Sequence, residues 1–109
     1  MAYDDELATR LRDLVSVKAG LTEKKMFGGL AMLLNGNLAV GVHRDALLVR
    51  VDPEQHGALL PEPAVRPFDM TGRPMTGWLL VDASGPGAAR ELARWVDRGL
   101  TYAATRPPK

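Results

Sequence analysis

Leu7, Leu11, Leu14 and Val15 recur at i, i+4, i+7 and i+8, one apolar stripe of a 3.6-residue period. They predict an amphipathic helix from Asp4 to about Val17. Asp4 or Asp5 caps its first turn, where a carboxylate also suits the positive end of the helix dipole. Gly20 supplies a stop. From Glu23 to Val51 the period changes to two. Met26 to Leu34 reads as an apolar strand interrupted by Gly28-Gly29, and Asn35-Gly36 after it is a type I′ hairpin signal, since both residues tolerate positive φ. Leu38 to His43 alternates Leu38, Val40 and Val42, expected toward the core, with Ala39, Gly41 and His43 on the other side. A tight Arg44-Asp45 connection leads into Leu47 to Val51, with Leu47, Val49 and Val51 on one face.

In the second half, Asp52-Pro53-Glu54-Gln55 is a helix start: Asp52 as N-cap, Pro53 in the first position, Gln55 at the capping-box position. Pro61 and Pro63 keep that helix short. Val65 to Met70 reads as a strand that Pro67 demotes to an edge or an irregular one, and Trp78 to Val81 as a short buried one. Ser84-Gly85-Pro86 opens a last helix burying Ala89, Leu92, Trp95, Val96, Leu100 and Ala103, and Arg106 to Lys109 is a frayed tail. The order is α-βββ-α-ββ-α. It predicts an α+β fold in two layers, a largely antiparallel five-stranded sheet covered by helices. One domain is expected over residues 1–109, with its core at about 4–104.

Composition narrows the function classes. Hydrophobic residues at 46% and charged residues at 25% are globular values. No apolar run nears the roughly 20 residues that span a bilayer. The acidic start, Met1-Ala2-Tyr3-Asp4-Asp5-Glu6, is unlike a secretory signal. Without cysteine there is no disulfide framework and no thiolate nucleophile or metal ligand. A cytoplasmic location is expected. The formal net charge of +1 disfavours a nucleic-acid partner, because phosphate neutralisation supplies most of such affinity. His43 and His56 have no metal-ligand spacing, Ser16 and Ser84 no nucleophile context, and no cofactor or metal is expected.

The candidate sites are therefore binding sites. Gly28 and Gly29 favour a bulge over the core helix, or the close approach of a ligand or partner backbone. Arg73, between Gly72 and Pro74, is suited to grip a carboxylate or phosphate, unless it is spent on Asp69 or a local carbonyl. Lys24, Lys25 and Arg50 make a basic patch if their strands meet, although alternation lets only one lysine join Arg50. Met26, Met32, Met70 and Met75 with Phe27, Phe68 and Trp78 form either a core or an adaptable pocket. Ala39 and Gly41, with Leu48 and Leu34, are expected on the outer sheet face, where small residues suit a homodimer contact.

The order and spacing of several segments resemble the N-terminal domain of the TfoX competence-regulator family. They are Lys25-Met26-Phe27-Gly28-Gly29 after a first helix, Asn35-Gly36-Asn37, Arg50-Val51-Asp52, Pro67-Phe68, Gly77-Trp78 and the C-terminal helix with Trp95. The resemblance implies a two-layer fold similar to secretion chaperones and a regulatory role. Longer members carry a second, helical domain, and this chain is expected to correspond to the N-terminal domain standing alone. It implies no catalytic residues. The expected function is a non-enzymatic regulator or adaptor acting through contacts with an unidentified protein partner. The alternatives are a nucleic-acid-binding regulator using Lys24, Lys25, Arg50 and Arg73, and a small-molecule sensor with its ligand near Trp78.

Overall fold

The computed structural model describes residues 5–15, 19–26, 29–62, 64–69, 74–82 and 88–108. The first apolar stripe is buried along α1 (Asp5–Val15) through Leu7, Ala8, Leu11 and Val15. Ala8 draws the buried arc to its own side, which leaves Leu14, expected inside, on the flank at 37% exposure. Six strands follow, β1 (Leu21–Met26), β2 (Gly29–Leu34), β3 (Asn37–His43), β4 (Ala46–Arg50), β5 (Val65–Asp69) and β6 (Pro74–Asp82). Between β4 and β5 lie a 3-10 turn (Pro53–Gln55) and the single-turn helix α2 (His56–Leu59), and α3 (Ala88–Ala104) closes the fold. The sheet runs in the order β1-β2-β3-β4-β6-β5 with every neighbouring pair antiparallel.

The fold class is the expected α+β, with one strand more than the five expected. The sixth is β1. Its Thr22, Glu23, Lys24 and Lys25 are exposed, as suits an edge strand defended by charge, and hydrophobic periodicity could not register it. Met26 stands opposite Gly29, so Gly29 begins a second strand instead of bulging the first. A Cβ at Gly29 would run into the Val42 carbonyl, so the backbone drawn close there is the protein's own β3. Gly28 lies outside the described residues.

The local signals of the two hairpins and of the Asp52 cap hold. Asn35 (φ 52°) and Gly36 (φ 84°) turn β2 into β3 with Leu34 opposite Asn37. Arg44 (φ 57°) helps turn β3 into β4, with His43 opposite Ala46. Asp52 Oδ1 accepts from the Glu54 amide at 2.9 Å and starts the 3-10 turn. Pro67 sits in β5, an edge strand. Ser84-Gly85-Pro86 lies outside the described residues. The expected fray at Arg106 is restrained, since the Arg106 amide donates to Ala103 at 3.1 Å and Asn37 Nδ2 donates to the Pro107 carbonyl at 2.8 Å.

One face of the sheet packs against α1 and α3. Leu47, Val49 and Val51 from β4 and just beyond it meet Leu92, Trp95, Val96, Leu100 and Ala103 there, all at most 5% exposed. The register of β3 departs from simple alternation: Met32 opposes Val40 but Leu33 opposes Leu38, so Ala39 is the extra residue of a β-bulge. The bulge turns Ala39 and Val40 to the same side, and both are fully buried in the helix-facing core. Ala39 is thus not on the outer face.

That outer face is itself covered. Ala46, Leu48, Phe68 and Leu80 form a second buried cluster with Leu38 and Trp78 packed against it. Leu48 is 2% exposed, Gly41 is buried between β2 and β4, and Leu34 belongs to the helix-facing core. The small and apolar residues expected to make a dimer face are therefore spent inside the protomer. Among the described residues, no helix is long and apolar enough to cross a membrane.

Helix α3 comes so close to β3 that a Cβ at Gly99 would sit 2.5 Å from the Ala39 carbonyl oxygen and 2.6 Å from Val40 Cγ1. A mid-helix glycine costs roughly 1 kcal/mol in propensity, and here the close packing requires it. Gly99→Ala should therefore destabilise by about 1–3 kcal/mol through overpacking. Gly57, in α2, has open space around its Cβ position, and Gly57→Ala should gain up to roughly 1 kcal/mol. Urea denaturation of both variants checks the opposite signs.

Candidate anion-binding cleft

Arg50 ends β4 directly opposite Trp78 of β6. A guanidinium carries its charge at any physiological pH and offers five donors, so a half-buried one must be surrounded by acceptors or electron-rich faces. Nη1 finds two carbonyls, Gly77 at 3.1 Å and Val51 at 3.2 Å. The guanidinium carbon lies 5.1 Å from the centre of the Trp78 ring and 5.3 Å from that of Tyr102 on α3, within cation–π range of both. Trp78 in turn stacks on Phe68 at 6.0 Å, and His43 meets the Phe68 ring edge-to-face at 5.2 Å. A row of planar groups thus leads from the outer sheet face, through Arg50, to the last helix.

Gly77 is the hinge of this arrangement. Its φ of +86° favours glycine, and a Cβ there would overlap Arg50 Nη1. Its carbonyl accepts from both Arg50 Nη1 and the Val51 amide (2.8 Å), while its own amide donates to His56 Nδ1 at 3.0 Å. Four segments, β4, the turn after it, α2 and β6, are tied at one residue. Among the described residues Arg50 Nε and Nη2 have no acceptor.

Beside Arg50 opens a cleft of about 470 Å³. Lys24, Arg50 and Arg106 bring three cations to it; Leu33, Leu38, Trp78 and Tyr102 make its walls, with Gly36 and Asn37 completing the lining. No carboxylate lines it among the described residues. The Asn37 bond to Pro107 holds the tail so that Arg106 reaches the cleft. A second cleft of about 400 Å³ lies on the far side of Tyr102, but charges of both signs line it: Asp52 and Asp97 with Arg94 and Arg98. Arg94 is already taken there. It bonds Glu91 at 2.8 Å and Glu62 at 3.0 Å, and these carboxylates, Glu91 foremost, hold its guanidinium above the ordinary arginine range.

Of the residues expected from sequence, Arg50 and Trp78 come together and Lys24 joins them. Lys25, the next residue on β1, does not line the cleft, and neither does Gly29. Gly28 and Arg73 lie outside the described residues. Sequence reasoning missed Tyr102 and Arg106. Tyr102 flanks the buried stripe of α3, and a large aromatic at that border was a usable signal. Arg106 carried none, since the Asn37 bond that holds the tail to β3 is made seventy positions away in sequence.

Residues 13–103 match the family model described as the TfoX N-terminal domain. The chain belongs to this family. No curated protein and no solved structure matches it. The match takes in α3 and five of the cleft's polar and aromatic residues, Lys24, Asn37, Arg50, Trp78 and Tyr102, and leaves Arg106 beyond its end. In this TfoX N-terminal domain, then, the Arg50 clamp is internal to the family region and one of the three cations is not.

If Arg50 is a structural tie as well as a site, Arg50→Ala should lower stability by about 1–2 kcal/mol, the scale of a charge-assisted hydrogen bond at a half-buried position. Thermal unfolding followed by tryptophan fluorescence reads this. An unchanged midpoint would show the clamp to be idle.

Proposed function

We propose that this chain is a non-enzymatic regulatory domain of the cytoplasm that works by binding an anionic group, carried by a partner, in the Arg50 cleft. One observation carries the reading: a guanidinium within cation–π range of two rings and held at Nη1 by two carbonyls, beside two further cations, with no acceptor at Nε or Nη2 and no carboxylate in the lining among the described residues. Organising such a site in advance removes much of the entropy that binding would otherwise lose. Its free edge has the side-on geometry that takes two oxygens of an oxyanion at once. Membership of the TfoX N-terminal domain family supports a regulatory role, and the cleft supplies a chemical means for it. The lining offers charge and apolar walls, which suits recognition.

The near-balanced charge of the whole chain, +1, weighs against a nucleic acid as the partner. A backbone-tracking protein neutralises many phosphates along a basic stripe, whereas here Lys24, Arg50 and Arg106 line one concavity. Titrating the labelled domain with a simple oxyanion and following its amide, indole and arginine Nε signals tests the reading. The shifts should centre on Arg50, Trp78 and Tyr102 and fade in 0.5 M sodium chloride, where screening extends only a few ångströms. Shifts scattered over the surface, or gathered at the cleft beside Arg94 and Asp97, would contradict it.

A further inference from the structure

We propose that the anion taken by this cleft is a phosphate monoester, an inference that rests on the anion-binding reading above. Charge and valence select it. A single carboxylate carries one negative charge in a plane, and the free Nε–Nη2 edge of Arg50 satisfies it alone. That would leave Lys24 and Arg106, both exposed and without an acid among the described residues, facing each other's charge across the cleft. A phosphate monoester carries close to two negative charges and three tetrahedrally disposed acceptor oxygens. Three oxygens can meet three cations: two on the fixed fork of Arg50, and the third, with the residual charge, between the two longer and more mobile side chains. A phosphodiester has one charge and two free oxygens, and again leaves cations unmatched.

The shape of the cleft agrees. About 470 Å³ is several times what a bare phosphate fills, and Leu33 and Leu38 provide apolar wall for the organic part of an ester. The rings do not compete for that part. Trp78 is already stacked with Phe68 and faced by Arg50, so neither a base nor another planar ring is called for. The ligand is thus read through its phosphate, with an aliphatic or peptide remainder. Such a group is presented by a phosphorylated side chain of a partner protein or by a small phosphorylated metabolite.

Calorimetric titration of the full chain at low salt distinguishes these. The probes are a phosphoserine peptide, the same peptide with glutamate in place of phosphoserine, glycerol phosphate, and a short oligonucleotide. The phosphate monoesters should bind roughly tenfold or more tighter than the glutamate peptide, the scale expected of one additional charge-assisted contact. Binding by the phosphopeptide alone assigns the ligand to a partner protein; binding by glycerol phosphate as well brings in small metabolites, and both results support the inference. The double variant Lys24→Gln/Arg106→Gln should lose roughly tenfold in phosphate affinity for the same reason while keeping the wild-type unfolding midpoint, because both side chains are exposed. Equal affinity for the glutamate peptide, tightest binding by the oligonucleotide, or full phosphate affinity in the double variant would overturn it. In the first case, with binding lost in Arg50→Ala, the anion-binding reading survives while the phosphate assignment falls. If no probe binds, both fall.

Discussion

A guanidinium cannot shed its charge on entering a protein, so each arginine drawn below the surface dictates what surrounds it. Arg50 does this here. Its Nη1 reaches the carbonyl of Val51 just past β4 and that of Gly77 on β6, and its Cζ lies within cation–π range of one ring from the sheet and one from the last helix. The helix layer and the outer sheet face touch through this side chain. Gly77 follows from it: the residue before the opposing Trp78 must be without a Cβ, which would overlap Arg50 Nη1, and adopts a positive φ as it offers its carbonyl. So does the edge of Nε and Nη2, without an acceptor among the described residues, because a fork held at one nitrogen by backbone has its other two donor nitrogens fixed in direction.

Burial on both sides of the sheet explains why the described residues offer no open sheet face of the kind expected for docking. The helix-facing core is built from alternate residues of β2, β4 and β6, from Ala39, Val40 and Val42 of the bulged β3, and from α1 and α3. The opposite side is closed by Phe68 and Trp78 over Leu48 and Leu80. With the apolar surface consumed internally, recognition falls to the end of the sheet, where strand ends, the hairpin at Asn35-Gly36 and the tail after α3 converge. Polar and charged residues can project there without disturbing either core.

How much of this was legible in the sequence depends on whether the determining interaction is local. The α1 stripe, the Asn35-Gly36 turn, the Asp52 cap and the edge character of β5 all rest on residues within a few positions of one another, and each was readable. The β-bulge at Ala39 was not. A one-residue shift in pairing is decided by β2 across the ladder and by the need of α3 to lie against a small residue at Gly99, and neither leaves a mark on the alternation of β3 itself. Strand β1 was hidden for the opposite reason: its side chains are polar because it is an edge. For the cleft, Arg50, Trp78 and Lys24 could be nominated as residue types, and the limit that strand alternation sets on the two lysines was readable too. Their meeting with Tyr102 depends on how α3 lies against the sheet, and the place of Arg106 on a bond between residues seventy positions apart, from Asn37 to Pro107.

The central claim is that Arg50 is held rigid and ready before any ligand arrives, and nitrogen-detected NMR of the arginine side chains in the free protein tests it most directly. A guanidinium anchored at Nη1 by two carbonyls and set against two rings cannot rotate freely about its Cζ–Nε bond. The account predicts separate, slowly exchanging Nη signals for Arg50, while exposed arginines such as Arg10 and Arg106 give averaged ones. A single averaged Nη signal for Arg50 would mean that the clamp does not form in solution, and the pre-formed anion site would go with it.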